Sequence, residues 1–254
     1  MEQIIRQRLY EIEKTQNVRI LFAVESGSRA WGIASPDSDY DVRFIYVRPK
    51  NDYLRLDEFR DVIELPIDDE LDINGWDLKK ALALLYRSNP TLFEWLSSPV
   101  IYLKTRFAED FKGLAADYFS KKKSLYHYVS MAKGNYRGYL KGDIVKAKKY
   151  FYVLRPVLAC RWIIDKTTPP PMLFSELEEH ELPAALKKEV DTLLDIKINS
   201  PEIKEIPRID ALNEFLDEEI SSIESKISTM NEEKNNDWDK LNEFFLSVLA
   251  DNEV

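Results

Sequence analysis

Glu25-Ser-Gly-Ser-Arg-Ala-Trp-Gly-Ile-Ala-Ser-Pro-Asp-Ser-Asp-Tyr-Asp-Val-Arg43 lies between two apolar runs, Ile20 to Val24 before it and Val42 to Val47 after it. Both runs read as buried strands, joined through the Gly27-Ser28 turn and a short polar excursion. The second run is headed by Asp39 and Asp41. Side chains alternate across a strand, so residues two apart share a face and these carboxylates are expected about 6–7 Å apart at the backbone. Two carboxylates that close repel unless a hard cation or a shared proton sits between them. An anionic, oxygen-only pair suits Mg²⁺, which takes one or two carboxylates and leaves its other positions to water and substrate phosphates. Backbone and hydroxyl donors of the Gly-Ser turn, beside such an ion, suit a triphosphate. Phosphoryl or nucleotidyl transfer is the chemistry to which these features point together. The alternative is a plain surface turn, since Ser, Pro, Asp and Gly are ordinary turn formers. The flanking apolar runs and the paired acids at a strand head speak against it, and Asp37 is left to the turn.

The rest of the composition sets bounds. A chain of 254 residues, 44% apolar and 32% charged, supports one large domain or two ordinary ones with a buried core. Cys160 is the single cysteine, so there is no disulfide framework and no cysteine-based metal site. His127 and His180 fall in no zinc-binding arrangement. Gly27 to Gly32 lacks the Lys-Ser or Lys-Thr of a Walker A loop, and no nucleophile elbow or dinucleotide-binding glycine turn occurs. Residues 1–14 alternate charge with apolar side chains and hold no signal-peptide core. No apolar run approaches the roughly 20 residues needed to cross a bilayer. The cytoplasm is the expected location, with no membrane partner. Net charge is −9, which argues against a protein that coats nucleic acid. The charge is uneven, however: ten Lys or Arg stand against one acid between Lys121 and Arg155, whereas 22 acids stand against 8 bases from Glu176 onward. A local basic surface is therefore expected.

Along the chain, Gln3 to Glu13 predicts a helix on the sheet. Strands are expected at about Val18 to Val24, Val42 to Val47, Asp61 to Leu65 and Leu71 to Gly75, with a short helix around Ser28 to Gly32 and a turn at Pro66 to Glu70. Helices follow over Leu78 to Arg87 and Thr91 to Leu96. Beyond Lys104 only helical periodicity is visible, broken at Pro156, Pro169-Pro-Pro171, Pro183, Pro201 and Pro207. A polar break at Asn231 to Asn236 precedes a last helix, Asp237 to Leu249. No internal repeat is visible.

Gly27-Ser28 followed by Asp39-x-Asp41 at the head of a strand resembles the signature of the DNA polymerase β nucleotidyltransferase superfamily. Gly27-Ser-Arg-Ala-Trp-Gly, Ser35-Pro-Asp-Ser-Asp-Tyr-Asp-Val-Arg, Gly75-Trp-Asp-Leu-Lys-Lys, Asn89-Pro and Glu94-Trp-Leu-Ser-Ser-Pro look more narrowly like nucleotidyltransferases of the YcgL/RlaP type. That subfamily is associated with RNA repair in some bacteria, and its motifs do not imply the substrate. The resemblance is dense over residues 20 to 160 and thin beyond. It implies an α+β fold: a polymerase-β-like nucleotidyltransferase domain with a mixed sheet flanked by helices, residues 1–103, followed by an all-helical domain, residues 104–254.

Members of that superfamily bring a third carboxylate from a neighbouring strand to the metal, where it can accept the proton of the attacking hydroxyl. Asp72, a lone acid between apolar strand neighbours, is the choice here. Asp77 competes but stands before Leu78-Lys-Lys-Ala-Leu, where an N-cap is expected, and Glu64 is a weaker alternative. Asp39, Asp41 and Asp72 are thus the expected catalytic and metal-binding set, with Mg²⁺ as cofactor and Mn²⁺ as substitute. The nucleotide-binding candidates are Gly27, Ser28, Arg29, Ser38 and Arg43. Either arginine can instead pair with the nearby acids, and Ser38 can be a turn residue only. Lys146-Ala-Lys-Lys-Tyr-Phe-Tyr-Val-Leu-Arg-Pro resembles the family's second-domain motif and adds Lys148, Tyr150 and Arg155, with Tyr152 as the other base-stacking choice. Trp31, Tyr128, Tyr136 and Tyr139 are assigned to packing, and Lys121 to Lys123 to solvent. The expected function is transfer of a nucleoside monophosphate from a nucleoside triphosphate to an acceptor hydroxyl, with an RNA end as one acceptor. Modification of a small molecule or protein, and a non-catalytic nucleotide-binding regulator, are the alternatives.

Overall fold

The computed structural model describes residues 1–66, 70–200, 204–231 and 237–252. Residues 67–69 of the expected turn, Pro201, and residues 232–236 of the expected polar break lie outside them. The first half of the chain forms α1 (Glu2–Gln16), β1 (Arg19–Ser26), α2 (Gly27–Ala30), β2 (Tyr40–Val47), α3 (Lys50–Tyr53), β3 (Val62–Glu64), β4 (Leu71–Asp77), α4 (Leu78–Tyr86), α5 (Pro90–Leu96), β5 (Ile101–Lys104) and α6 (Arg106–Ala116). The second half forms α7 (Lys121–Tyr139), β6 (Ile144–Lys146), α8 (Ala147–Lys166), α9 (Phe174–Glu181), a 3-10 turn (Ala184–Leu186), α10 (Lys187–Asn199), β7 (Glu205–Pro207), α11 (Asp210–Thr229) and α12 (Trp238–Asp251). These gather into two compact units: Met1–Gly27, Asp39–Tyr118 and Asn235–Val254 in one, Ser28–Ser38 and Phe119–Lys234 in the other. The sequence reading had drawn one cut, after residue 103.

In the first unit a mixed sheet runs in the order β3-β4-β2-β1-β5. β1 is antiparallel to both β2 and β5, β2 is parallel to β4, and β3 returns antiparallel to β4. Ile20 to Val24 and Val42 are buried, as an apolar run covered on both faces requires. β4 instead alternates, with Leu71, Ile73 and Gly75 inward. Gly75 is opposite Phe44, and a Cβ there would fall 2.1 Å from the Phe44 ring, so the missing side chain makes room for the aromatic one. On one face Ile5, Leu9 and Ile12 of α1, spaced at helical period, join Ile20, Phe44 and Tyr102 in one core. Asp77 accepts the Lys79 N–H at 2.8 Å and caps α4; Asn89 caps α5, with Pro90 in its first turn. α12 belongs to this unit: Trp238 stacks on Tyr86 at 3.9 Å, and Phe244 meets Phe107 and Phe111.

The second unit is built on α8, packed by α7, α9, α10 and α11 around Phe151, Leu154, Val157, Phe174 and Leu216. Two expectations fail here. The region beyond residue 104 is not purely helical, because β6 and β7 pair as a small antiparallel ribbon; three-residue strands carry too short a pattern to see. Pro156 does not end a helix either, but sits inside α8. A proline leaves the carbonyl four residues earlier without its helical donor, and that carbonyl, Tyr152 O, takes the side-chain amide of Asn135 from α7 at 3.1 Å. The break is filled from a neighbouring helix.

Replacing Asn135 with Leu is therefore expected to cost about 1 kcal/mol, the low end of the penalty for a carbonyl that loses its partner, because this one is only partly buried. In a Pro156→Ala background, where α8 supplies its own N–H, the same change is expected to cost much less. Chemical denaturation of the four proteins in a double-mutant cycle measures it, and equal costs in both backgrounds would refute the pairing.

Candidate active site

β1 ends at Ser26, whose ladder partner is Asp41. The chain then turns at Gly27 with φ of +62°, and a Cβ there would lie 2.1 Å from Asp41 Oδ2. Only glycine lets the backbone turn hard against that carboxylate. Beside it Glu25 is fully buried; its Oε1 accepts the Asp41 N–H at 2.7 Å and its Oε2 accepts the Tyr102 hydroxyl. The Ser98 hydroxyl donates to the Glu25 carbonyl at 2.6 Å. Glu25 was not singled out from the sequence. Its signal was available, because an acid closing an unbroken apolar strand must find partners inside.

Asp41 and Asp72 are register partners on the parallel strands β2 and β4, which brings two carboxylates side by side. Arg43, two residues along from Asp41 and so on the same face, lies between them. Its Nη2 donates to Asp72 Oδ2 at 2.7 Å and to Asp41 Oδ1 at 3.1 Å, while Nη1 donates to the carbonyls of Asp72 at 2.8 Å and Val42 at 3.1 Å. One guanidinium nitrogen thus supplies the positive charge that two adjacent carboxylates demand. The two acid side chains stay 30% and 32% exposed, so the pair is reachable from solvent. Asp39 lies just before β2, exposed and outside the ladder, where strand alternation does not govern its direction. Among the described residues no three His, Cys, Asp or Glu side chains stand close enough to hold one metal ion together. The structure brings together Asp41, Arg43, Asp72 and Gly27, and does not gather Asp39 with them as a third ligand. As a donor set, two oxygen-only carboxylates already sharing a cation fit a hard divalent ion.

Ser28, Arg29 and Ser38 belong to the second unit. Arg29 Nη2 donates to the Ser38 carbonyl at 2.5 Å, and the hydroxyls of Ser35 and Ser38 meet at 2.9 Å. The ammonium of Lys197, from α10, reaches both hydroxyls, at 3.0 and 3.4 Å, and is buried with them. Lys197 is a second residue the sequence did not reveal, since a lysine on an acidic amphipathic helix reads as solvated. Trp31 packs as expected, under the guanidinium of Arg155 at 4.6 Å.

Two nucleotide-binding expectations need correction. Tyr150 is fully buried, its hydroxyl donating to Asn213 Oδ1 and accepting the Ile209 N–H, both at 2.8 Å, so it has no face for a base. Arg155 is 1% exposed, between Trp31 and Met172. The cause is that α8 is the central helix of its unit and is buried nearly all round. Lys148 stays half-buried at its start. The lysine triplet is less solvated than expected, because Lys121 and Lys122 donate to the carbonyls of Ile164 and Met230.

The competing acids have other partners. Glu64 is exposed and pairs with Arg60 and Asn74. Asp77 is fully buried, and burial first of all raises its carboxyl from 3.8 to about 6, against the lowering effects of the Lys79 N–H, the Tyr53 hydroxyl and Arg48. Cys160 offers no nucleophile, since burial and then Glu219 push its thiol up. No helix among the described residues is long and apolar enough to cross a membrane.

The model of the RNA repair pathway DNA polymerase beta family matches residues 1–247. The uncharacterized protein YcgL of Bacillus subtilis (strain 168) is 46% identical over 254 residues, 99% of this chain and 97% of that one. A crystal structure of a nucleotidyltransferase-like protein from Exiguobacterium sibiricum 255-15 aligns over 98% of this chain and 81% of that one, at 11% identity and a TM-score of 0.31, too distant to add to the fold.

Replacing Arg43 with Met leaves Asp41 and Asp72 without their cation. Thermal unfolding is expected to show a loss of about 1–2 kcal/mol that is reversed by millimolar Mg²⁺; a loss insensitive to Mg²⁺ would refute the shared-cation reading. Asp77 gives a separate pH signature. Its raised folded-state value means that its contribution to stability is present below about pH 4 and lost as pH rises through about 6. Asp77→Asn keeps the helix cap and is expected to gain roughly 1–3 kcal/mol relative to the parent between those limits; parallel stability curves would contradict it.

Proposed function

Because the chain belongs to the RNA repair pathway DNA polymerase beta family, we propose that the Asp41, Arg43 and Asp72 cluster transfers a nucleoside monophosphate from a nucleoside triphosphate to an acceptor hydroxyl at an RNA end. Membership of that family makes the chain a nucleotidyltransferase, with a nucleotide as substrate. The observation that carries the choice of site is the guanidinium of Arg43 held by both carboxylates, beside a glycine turn with no room for a side chain.

The family typically uses a divalent metal. Asp41 and Asp72 would hold it, Mg²⁺ or in its place Mn²⁺, with Asp39 completing the Asp-x-Asp motif. When bound, such ions stabilise the entering and leaving oxygens of an in-line displacement. The acceptor oxygen forms its bond to the α-phosphorus as the bond to the β-phosphate oxygen breaks and pyrophosphate leaves. Asp72 takes the acceptor proton, being the carboxylate of the pair that is not wedged against Gly27. Arg43, released from the carboxylates, turns its planar fork to phosphate oxygens. Glu25 holds the Asp41 backbone and so fixes where its carboxylate stands. The Gly27 turn, flush against the Asp41 carboxylate, leaves backbone room for the triphosphate. Positioning and charge neutralisation carry such a transfer without a covalent intermediate, in keeping with the inert Cys160.

Incubated with Mg²⁺ and α-phosphate-labelled nucleoside triphosphates, the protein is expected to label total RNA. Asp41→Asn and Asp72→Asn should fold and lose labelling by more than the roughly 10–100-fold that removal of a supporting partner costs. Undiminished labelling by either folded variant would refute the site.

A further inference from the structure

Tyr139, assigned to packing from the sequence, is 46% exposed at the end of α7. Lys149, in the first turn of α8, lays its ammonium over that ring at 3.9 Å and over the ring of Tyr152 at 4.6 Å. Tyr152 stands edge-on to Trp31, with centroids 6.1 Å apart, and its carbonyl is the one tied to Asn135. Two rings and a cation from adjacent helices are thus held as one cluster at the surface of the second unit. Arg137, two residues before Tyr139, and Lys146, three before Lys149, are exposed. Other lysines of the stretch meet carboxylates, Lys133 with Glu224 and Lys141 with Asp217 at 3.9 Å. Among the described residues none pairs with Arg137, Lys146 or Lys149.

We infer that this cluster is a platform for single-stranded RNA, on which an unpaired base stacks against Tyr139 or Tyr152 while Lys149, Arg137 and Lys146 take the flanking phosphates. Magnitudes favour the exchange. A half-buried ammonium over an aromatic face gains about 0.5–2 kcal/mol, whereas a base stacked on such a ring is worth about 1–3 kcal/mol and the displaced ammonium gains a phosphate, so a base displaces the ammonium. Charge selects the partner class, because an acidic chain meets these cations in a molecule whose net charge is −9. The exposed ring of Tyr139 selects unpaired bases over acidic peptide, whose side chains carry no ring to stack. Tyr150 and Arg155, the earlier candidates on the same helix, are closed to this role by burial. The choice of RNA over other single strands rests on the function proposed above; the platform itself rests on the cluster.

Fluorescence anisotropy of the full chain with a labelled unstructured RNA of about 12 nucleotides tests it. Affinity is expected to fall steeply between about 50 and 200 mM salt. Tyr139→Ala and Tyr152→Ala, checked for folding by circular dichroism, are expected to weaken binding roughly 5–100-fold. Tyr139→Phe, which keeps the ring, should bind as the parent does, and Lys149→Gln should lower the salt slope by about 0.7. Absence of binding at low salt, unchanged binding by folded Tyr139→Ala and Tyr152→Ala, or equal affinity for duplex RNA would overturn the platform. Nucleotidyl transfer measured on the same preparations separates the two readings. Transfer without RNA affinity sinks the platform and spares the site, and RNA affinity without transfer does the reverse.

Discussion

Two carboxylates placed side by side on parallel strands must be neutralised, and Arg43 does so for Asp41 and Asp72. That demand organises much of the first unit. The register of β2 on β4 sets Asp41 against Asp72, and strand alternation aims Arg43 back between them. Gly75 admits the Phe44 ring that helps seat β2 on β4, while Gly27 lets β1 turn away flush against the Asp41 carboxylate. Glu25, buried with both oxygens engaged, fixes the Asp41 backbone from the other neighbouring strand. Each of these features is costly alone: a buried acid, like charges in contact, a left-handed turn. Together they hold a cation where a fold with a free choice would have placed apolar residues.

The second unit solves a different problem. Its central helix is buried on nearly every side and carries a proline in its interior, so its backbone cannot satisfy itself. Asn135 completes the hydrogen bonding from α7, which ties those two helices at a fixed register. That register brings the last turn of α7 beside the first turn of α8, where aromatic rings and lysines remain at the surface. A packing repair and the exposed basic cluster thus share one helix pair.

Four of the five sheet strands, the cap at Asp77 and the turn at Gly27 beside an acid were legible because each follows from a local rule: period two, a side-chain oxygen at a helix start, a turn glycine; β5, four residues long, was not. What sequence could not show was set by long-range partners. Arg43 had two equal readings until Asp72, 29 residues away, was seen to share it with Asp41. Asp39 lies one residue short of the strand, so alternation was applied just beyond its range. Tyr150, Arg155 and Lys197 were misread or missed because a polar side chain on a helix says nothing about whether a neighbouring helix covers it. Pro156 was taken for a terminator because its replacement donor comes from another element.

The central claim is that the charge between Asp41 and Asp72 is exchangeable, held by Arg43 in the free protein and by a divalent ion in the working one. Electron paramagnetic resonance of Mn²⁺ titrated into the protein with a nucleoside triphosphate reads this once the signal lost to the same nucleotide without protein is subtracted, since bound Mn²⁺ loses its free-ion signal. The account predicts nucleotide-dependent binding by the parent protein that Asp72→Asn weakens and Arg43→Met retains or strengthens in the absence of nucleotide. Mn²⁺ binding that ignores Asp72, or none in the presence of nucleotide, would contradict it.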